Sequence, residues 1–125
     1  MPKKMSEKME VLLGKITDVL NERKTRVACI TYSMLAEDLG GYAPDSKYIA
    51  ICLGILQKED TKNGSPLRSA LVVRKDTRRP GYGFYECAEI LGHKFTDTEE
   101  FWGNQIKEMV VNTTPPPLRT IRTRA

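Results

Sequence analysis

The sequence has few of the side chains from which metal centres and enzyme active sites are usually built. It contains one histidine, His93, and three cysteines, Cys29, Cys52 and Cys87, which lie far apart and form no Cys-x-x-Cys pair. Zinc sites need clustered cysteine and histidine ligands, and acid–base or nucleophilic catalysis needs paired groups. We therefore expect no metal, no cofactor and no enzymatic activity, and we expect the cysteines to be reduced and buried.

The chain also lacks an apolar run that approaches the roughly 20 residues of a membrane span. Its first residues, MPKKMSEK, carry charges with no apolar run behind them, which is not the pattern of a secretory signal. We expect a cytoplasmic protein with no membrane contact, and we infer no small-molecule substrate. The length predicts one domain over residues 1–111, followed by an extended or flexible basic tail over residues 112–125.

What the chain does have is an uneven distribution of charge. Its net charge is +4, and basic residues concentrate in two segments while acidic residues concentrate in a third, over residues 86–100. The basic segments contribute Arg68, Arg74, Lys75, Arg78 and Arg79, and in the tail Arg119, Arg122 and Arg124. This pattern indicates either a surface for an anionic partner such as DNA or simply solvated turns and tails.

The most informative stretch is a predicted helix over residues 45–58. Asp45 is a suitable N-cap, and Pro44 blocks continuation from upstream. The apolar residues cover more than one side, which predicts burial on two faces. Between these faces runs a row that is small in the middle and basic at the ends, consisting of Lys47, Ala50, Gly54 and Lys58.

The remaining segments predict an ordered set of elements around this helix. Helices are expected over residues 5–20, 32–39 and 97–111, the second capped by Thr31 and stopped by Gly40, and the last opened by a capping box of Thr96 and Glu99. Strands are expected over 27–30, 67–74 and 83–87, the last two forming a hairpin with a basic tip. The predicted fold is therefore α+β, a winged helix-turn-helix with an N-terminal helix, a short strand, a β-hairpin wing, an added C-terminal helix and an extended tail.

Two resemblances agree with this prediction. The segment ITYSMLAEDLG, residues 30–40, resembles the Thr/Ser-Tyr-x-x-Leu-Ala-x-x-x-Gly opening of the winged-helix domain in alkylguanine-DNA alkyltransferases and alkyltransferase-like proteins. The similarity extends over residues 27–85 and implies a DNA-binding scaffold with a small-residue recognition helix in the minor groove. The Pro-Cys-His-Arg motif of the enzymes is missing, and Ser69 stands near the place of its cysteine, so alkyl transfer is not expected.

The second resemblance covers residues 30–110. The segments PLRSALVV and PGYGFY, followed by Ala88, Leu91, Gly92, Phe101 and Trp102, are similar to small uncharacterised winged-helix proteins of bacteria and mobile elements. That resemblance implies no assigned activity.

These observations leave two functional hypotheses. The first is a non-enzymatic, regulatory DNA-binding protein that uses the row on the 45–58 helix, the basic segment 68–79, Tyr82 and the three tail arginines for contacts. The second is a homodimer, or an adaptor or inhibitor of a larger complex of a mobile element or phage, with no direct DNA role. Its interface would be formed by Tyr48, Ile51, Ile55, Phe101 and Trp102.

Overall fold

The computed structural model describes residues 6–42 and 46–113. In this part the chain forms five α-helices, one short 3₁₀ helix and a two-stranded parallel sheet. In chain order the elements are α1 (Glu7–Thr25), β1 (Ile30–Thr31), α2 (Tyr32–Asp38), α3 (Lys47–Asn63), the 3₁₀ helix Arg68–Leu71, β2 (Val72–Val73), α4 (Tyr82–Ile90) and α5 (Thr98–Thr113).

The predicted winged helix-turn-helix is wrong, because the described residues contain no β-hairpin. The segment 67–74 contributes only two strand residues, β2, and these pair in parallel with β1, Ile30 opposite Val72 and Thr31 opposite Val73. The second predicted strand, 83–87, lies in the middle of α4. A parallel pair needs a long crossover connection, and here α2 and α3 provide it.

Helix α4 explains why the hairpin prediction failed. Phe84 and Ala88 are both buried, and their spacing of four residues places them on one face of a helix. The segment GFYEC is rich in aromatic residues and follows a Pro-Gly pair, which is also typical of a strand after a turn. Contacts in the core favour the helix over the strand, since Phe84 packs on the rings of Tyr85 and Phe101.

The residues that cap the helices agree with the sequence prediction for α2 and differ from it for α3 and α5. Thr31 caps α2 as predicted, accepting a hydrogen bond from the Met34 N–H at 3.1 Å. Helix α3 is capped by Ser46 instead of Asp45, which lies outside the described residues. The Thr96–Glu99 capping box is wrong, because the Asp97 carboxylate accepts from the first free N–H groups of α5.

The core is one contiguous cluster to which every helix contributes. Helix α1 extends to Thr25, beyond the predicted 5–20, and buries Leu12, Ile16 and Leu20 along one stripe. Helix α5 buries Phe101, Gln105 and Met109, also four residues apart. Within the described residues, no helix combines the length and the apolar character that crossing a bilayer requires.

Candidate nucleic-acid interface

A groove between the N-terminal half of α3 and the segment that links β2 to α4 brings together parts of the chain that are distant in sequence. Its volume is about 770 Å³, and its wall combines basic, apolar and small side chains. The lining residues are Tyr32, Ser46, Ile49, Ala50, Arg74, Lys75, Asp76 and Gly83. Two residues of the predicted DNA-contact set on this segment, Arg74 and Lys75, therefore share a groove with Ala50 of the α3 row.

The predicted row on α3 lies mostly on its solvent side. Lys47, Ala50 and Lys58 are exposed and Gly54 is half-buried, while Ile49 and Leu53 turn into the core. The spacing explains this division, because residues three and four apart share a face of a helix. The outer side of α3 therefore offers lysines separated by small residues, and a partner can approach the backbone closely there.

We define the basic loop as residues 74–79, which follow β2. The loop is closed by backbone hydrogen bonds from the Arg74 N–H to the Arg79 carbonyl (2.8 Å) and from the Arg78 N–H to the Arg74 carbonyl (2.9 Å). Asp76 also pairs with the Arg74 guanidinium at 2.9 Å, which raises the pKa of Arg74 and lowers that of Asp76. The loop is thus an ordered turn in which one of its arginines is already neutralised.

Lys75 and Arg78 are the basic side chains that the loop leaves available. Both are exposed, and neither forms an ion pair with any residue that the structure describes. Arg78 has a φ of 58°, a left-handed conformation that is uncommon outside glycine, asparagine and aspartate. The turn places Arg78 between two residues, Arg74 and Arg79, that are held by carboxylates.

Two other predicted contact arginines make internal contacts. The Arg68 side chain is only 11 % exposed, and its guanidinium reaches Asp60 at 2.9 Å, Glu59 at 3.0 Å and the Asn21 side-chain oxygen at 3.0 Å. Arg79 pairs with Glu99 and lies over the Trp102 ring. Tyr82, by contrast, begins α4 beside the groove and is 77 % exposed.

A smaller cavity of about 160 Å³ lies beneath the α3 row, between α3, α4 and the 3₁₀ helix. Gln57 lines this cavity and links α4 to the 3₁₀ helix, because its side chain donates to the Phe84 carbonyl at 2.9 Å and accepts from the Ser69 hydroxyl at 3.0 Å. Burial raises the pKa values of Cys87 and Tyr32, both of which line the cavity. A thiol whose pKa is raised stays protonated and is a poor nucleophile.

No protein-family model, curated protein or solved structure matches this chain.

The residues of the second hypothesis divide into exposed and internal groups. Tyr48 and Ile51 on α3 are each 47 % exposed. Ile55 is half-buried in a groove against α1, Phe101 is buried in the core, and Trp102 donates its indole N–H to the Ala70 carbonyl at 2.9 Å. Only the first two are thus placed to meet a partner.

Several predictions concern other parts of the chain. Arg119, Arg122 and Arg124 lie outside the described residues. Among the residues that are described, no three His, Cys, Asp or Glu side chains are grouped so as to hold a metal ion.

Sequence inspection missed Gln57, Tyr32 and Ser46 as site residues, because their places in the two cavities depend on the β1–β2 pairing and the packing of α4 on α3.

Proposed function

We propose that this protein binds double-stranded DNA, without catalysing a reaction on it, through the outer row of α3 and the basic loop. The observation that carries the proposal is the groove between them, which has Ala50 and Gly83 on one part of its wall and, on another, Lys75 beside the Arg74–Asp76 ion pair. Phosphate neutralisation supplies most of the affinity of non-specific DNA binding, and Lys75 and Arg78 are exposed for that role.

The chemistry of the α3 row favours contact with the DNA backbone over base recognition. Lys47 and Lys58 bear positive charge, whereas Ala50 and Gly54 bring no hydrogen-bonding side chain. Base-specific contacts in the major groove need side chains such as Arg, Asn or Gln directed at base edges. We therefore expect weak sequence preference and a strong dependence on salt.

The environment of Ser69 supports the non-catalytic part of the proposal. Under the resemblance to alkylguanine-DNA alkyltransferases, Ser69 stands near the place of the reactive cysteine. Its hydroxyl is buried and donates to Gln57, an amide that cannot act as a general base.

The test is a titration of a mixed-sequence duplex of about two helical turns, followed by fluorescence anisotropy over a range of salt concentrations. We expect the wild type to bind with a steep salt dependence. In the double variant Lys75→Gln/Arg78→Gln, affinity should fall and the slope of log K against log salt should decrease by about 1.8, since each lost phosphate contact contributes about 0.9.

The matched control is Lys8→Gln/Lys15→Gln on α1. It removes the same two positive charges from exposed residues that border a different groove, between α1 and the end of α2. We expect it to leave the slope close to that of the wild type. Equal losses in the two double variants would show a dependence on net charge alone, and no binding of any duplex at low salt would end the proposal.

A second candidate function, a protein–protein interaction module, is favoured by one observation. Tyr48 and Ile51 expose about half of their surfaces on α3, and Met34 on α2 is 45 % exposed. Exposed apolar and aromatic side chains are enriched at interfaces. A second copy of the chain is the partner that can be tested directly, by measuring the mass of the protein in solution.

A further inference from the structure

The side chain of Arg79 makes two contacts that attach the basic loop to α5 and a third contact within the loop. Its Nε lies 2.5 Å from the Glu99 carboxylate, its guanidinium carbon lies 4.4 Å from the centre of the Trp102 ring, and its Nη1 donates to the Arg78 carbonyl at 3.0 Å. Trp102 is in turn fixed by its hydrogen bond to the Ala70 carbonyl. A guanidinium that stacks on an aromatic ring and pairs with a carboxylate has few donors left for phosphate.

The chain just after Arg79 is fixed as well. Pro80 is buried, and the Gly81 N–H donates to the Tyr32 hydroxyl at 3.2 Å. A Cβ on Gly81 would stand 3.4 Å from the same oxygen, so the approach of these two residues is close. Because β2 fixes the other end of the loop, Lys75 and Arg78 are carried on a segment held at both ends.

We propose that Arg79, Glu99 and Trp102 form a latch that positions the basic loop for DNA, and that Arg79 is a positioning residue instead of a phosphate contact. This inference rests on the proposed function, because it concerns the same face. A loop held in its binding conformation loses less conformational entropy when DNA binds. The latch therefore increases affinity through residues that do not touch the ligand.

Glu99→Gln distinguishes the two roles of Arg79 by the sign of its effect. If Arg79 contacted phosphate, removing the Glu99 charge would free the arginine, raise the net charge and tighten binding. If Arg79 positions the loop, the same change weakens binding by about two- to fivefold despite the added positive charge. Glu100→Gln is the matched control, since Glu100 is exposed, carries the same charge and forms no ion pair within the described residues. We expect it to leave affinity unchanged or slightly tighter.

Arg79→Gln adds a readout that loss of stability alone would not produce. A positioning role predicts weaker binding with an unchanged salt slope, because no phosphate contact is removed. A direct contact predicts that the slope decreases by about 0.9. Thermal unfolding of each variant, measured in parallel, shows whether the protein remains folded at the temperature of the titration.

Hydrogen exchange of the free protein tests the latch without DNA. We expect amides of residues 74–81, including Gly81, to exchange faster in Glu99→Gln than in the wild type or in Glu100→Gln. Unchanged exchange, tighter binding by Glu99→Gln or a reduced slope in Arg79→Gln would each overturn the inference while leaving the proposed function intact. Wild-type protein that binds no duplex would instead overturn the proposed function, and with it the positioning role.

Discussion

At the scale of single residues, the ion pair between Asp60 and Arg68 links α3 to the 3₁₀ helix. The two side chains are 5 % and 11 % exposed, and Asp60 also accepts from the Arg68 backbone N–H at 2.9 Å. Burial alone would lower the pKa of the guanidinium, but the hydrogen bonds and charges of Asp60 and Glu59 outweigh it and raise that pKa. Stability that depends on a raised pKa persists below the unfolded value and is lost only as pH rises through the folded one. The pair therefore acts over the whole neutral range.

We predict that Asp60→Ala lowers the free energy of unfolding by about 1.5–3 kcal/mol, because the Arg68 guanidinium loses its buried partner and keeps only its contacts to Glu59 and Asn21. Glu59→Gln is the control, since Glu59 pairs with the same guanidinium but is 57 % exposed, and it should cost about 1 kcal/mol or less. Urea denaturation at neutral pH measures both values. Similar small losses in the two variants would mean that Arg68 finds solvent or another partner.

The same residues show what a count of charges in the sequence misses. Arg68 and Arg79 belong to the basic segment 68–79, yet their partners lie outside it, at Asp60 and Glu99. A sequence shows the sign of each residue but not the carboxylate that folding brings to it. Nothing in the sequence distinguishes Lys75 and Arg78, which form no ion pair within the described residues, from Arg68 and Arg79, which do.

At the scale of elements, the sequence predicted every helix whose apolar period was long enough to be decisive. The pattern through Leu12, Ile16 and Leu20 identified α1, and that around Phe101 and Met109 identified α5. Short segments failed, since the runs 67–74 and 83–87 fit a strand as well as a buried helical turn. Tertiary contacts decided them, through the pairing of Val72 with Ile30 and the packing of Phe84 on the core.

Glycines inside the helices allow a prediction about α3. A Cβ added at Gly54 in α3 or at Gly103 in α5 would meet no atom within 4 Å. Alanine should therefore raise the free energy of unfolding at both positions by about 0.5–1 kcal/mol, through the lower entropy of the unfolded chain. Thermal and urea denaturation provide the measurement, and destabilisation by Gly54→Ala would contradict the helical packing described for α3.

Larger substitutions at the same two glycines distinguish an effect on DNA binding from an effect on stability. Gly54 lies in the α3 row, whereas Gly103 is on α5 and lines neither cavity of the candidate interface. Gly54→Gln should therefore weaken duplex binding by holding the partner away from the backbone, while Gly103→Gln should not. Equal affinity of both glutamine variants and the wild type would remove the α3 row from the contact surface.

At the scale of the whole molecule, the outer face of α3 decides between a monomer and a homodimer. Ile51 lies on this face with Lys47, four residues before it, and Lys58, seven residues after it. A two-fold interface pairs the same patch on both subunits, so it would gather four lysines, two from each copy, around one contact. Like charges in such proximity oppose association, so this face is better suited to binding a polyanion than to binding a second copy of the chain.

We therefore predict a monomer of 14.2 kDa by light scattering coupled to size exclusion, at low salt and at high salt. Tyr48→Ser/Ile51→Ser should leave that mass unchanged, because these side chains hold no subunits together. A larger mass in the wild type that increases with salt, as screening relieves the lysines, and that returns to 14.2 kDa in the double variant would place the dimer interface on α3 and favour the interaction function. The face proposed for DNA would then be covered, and duplex binding should compete with dimer formation.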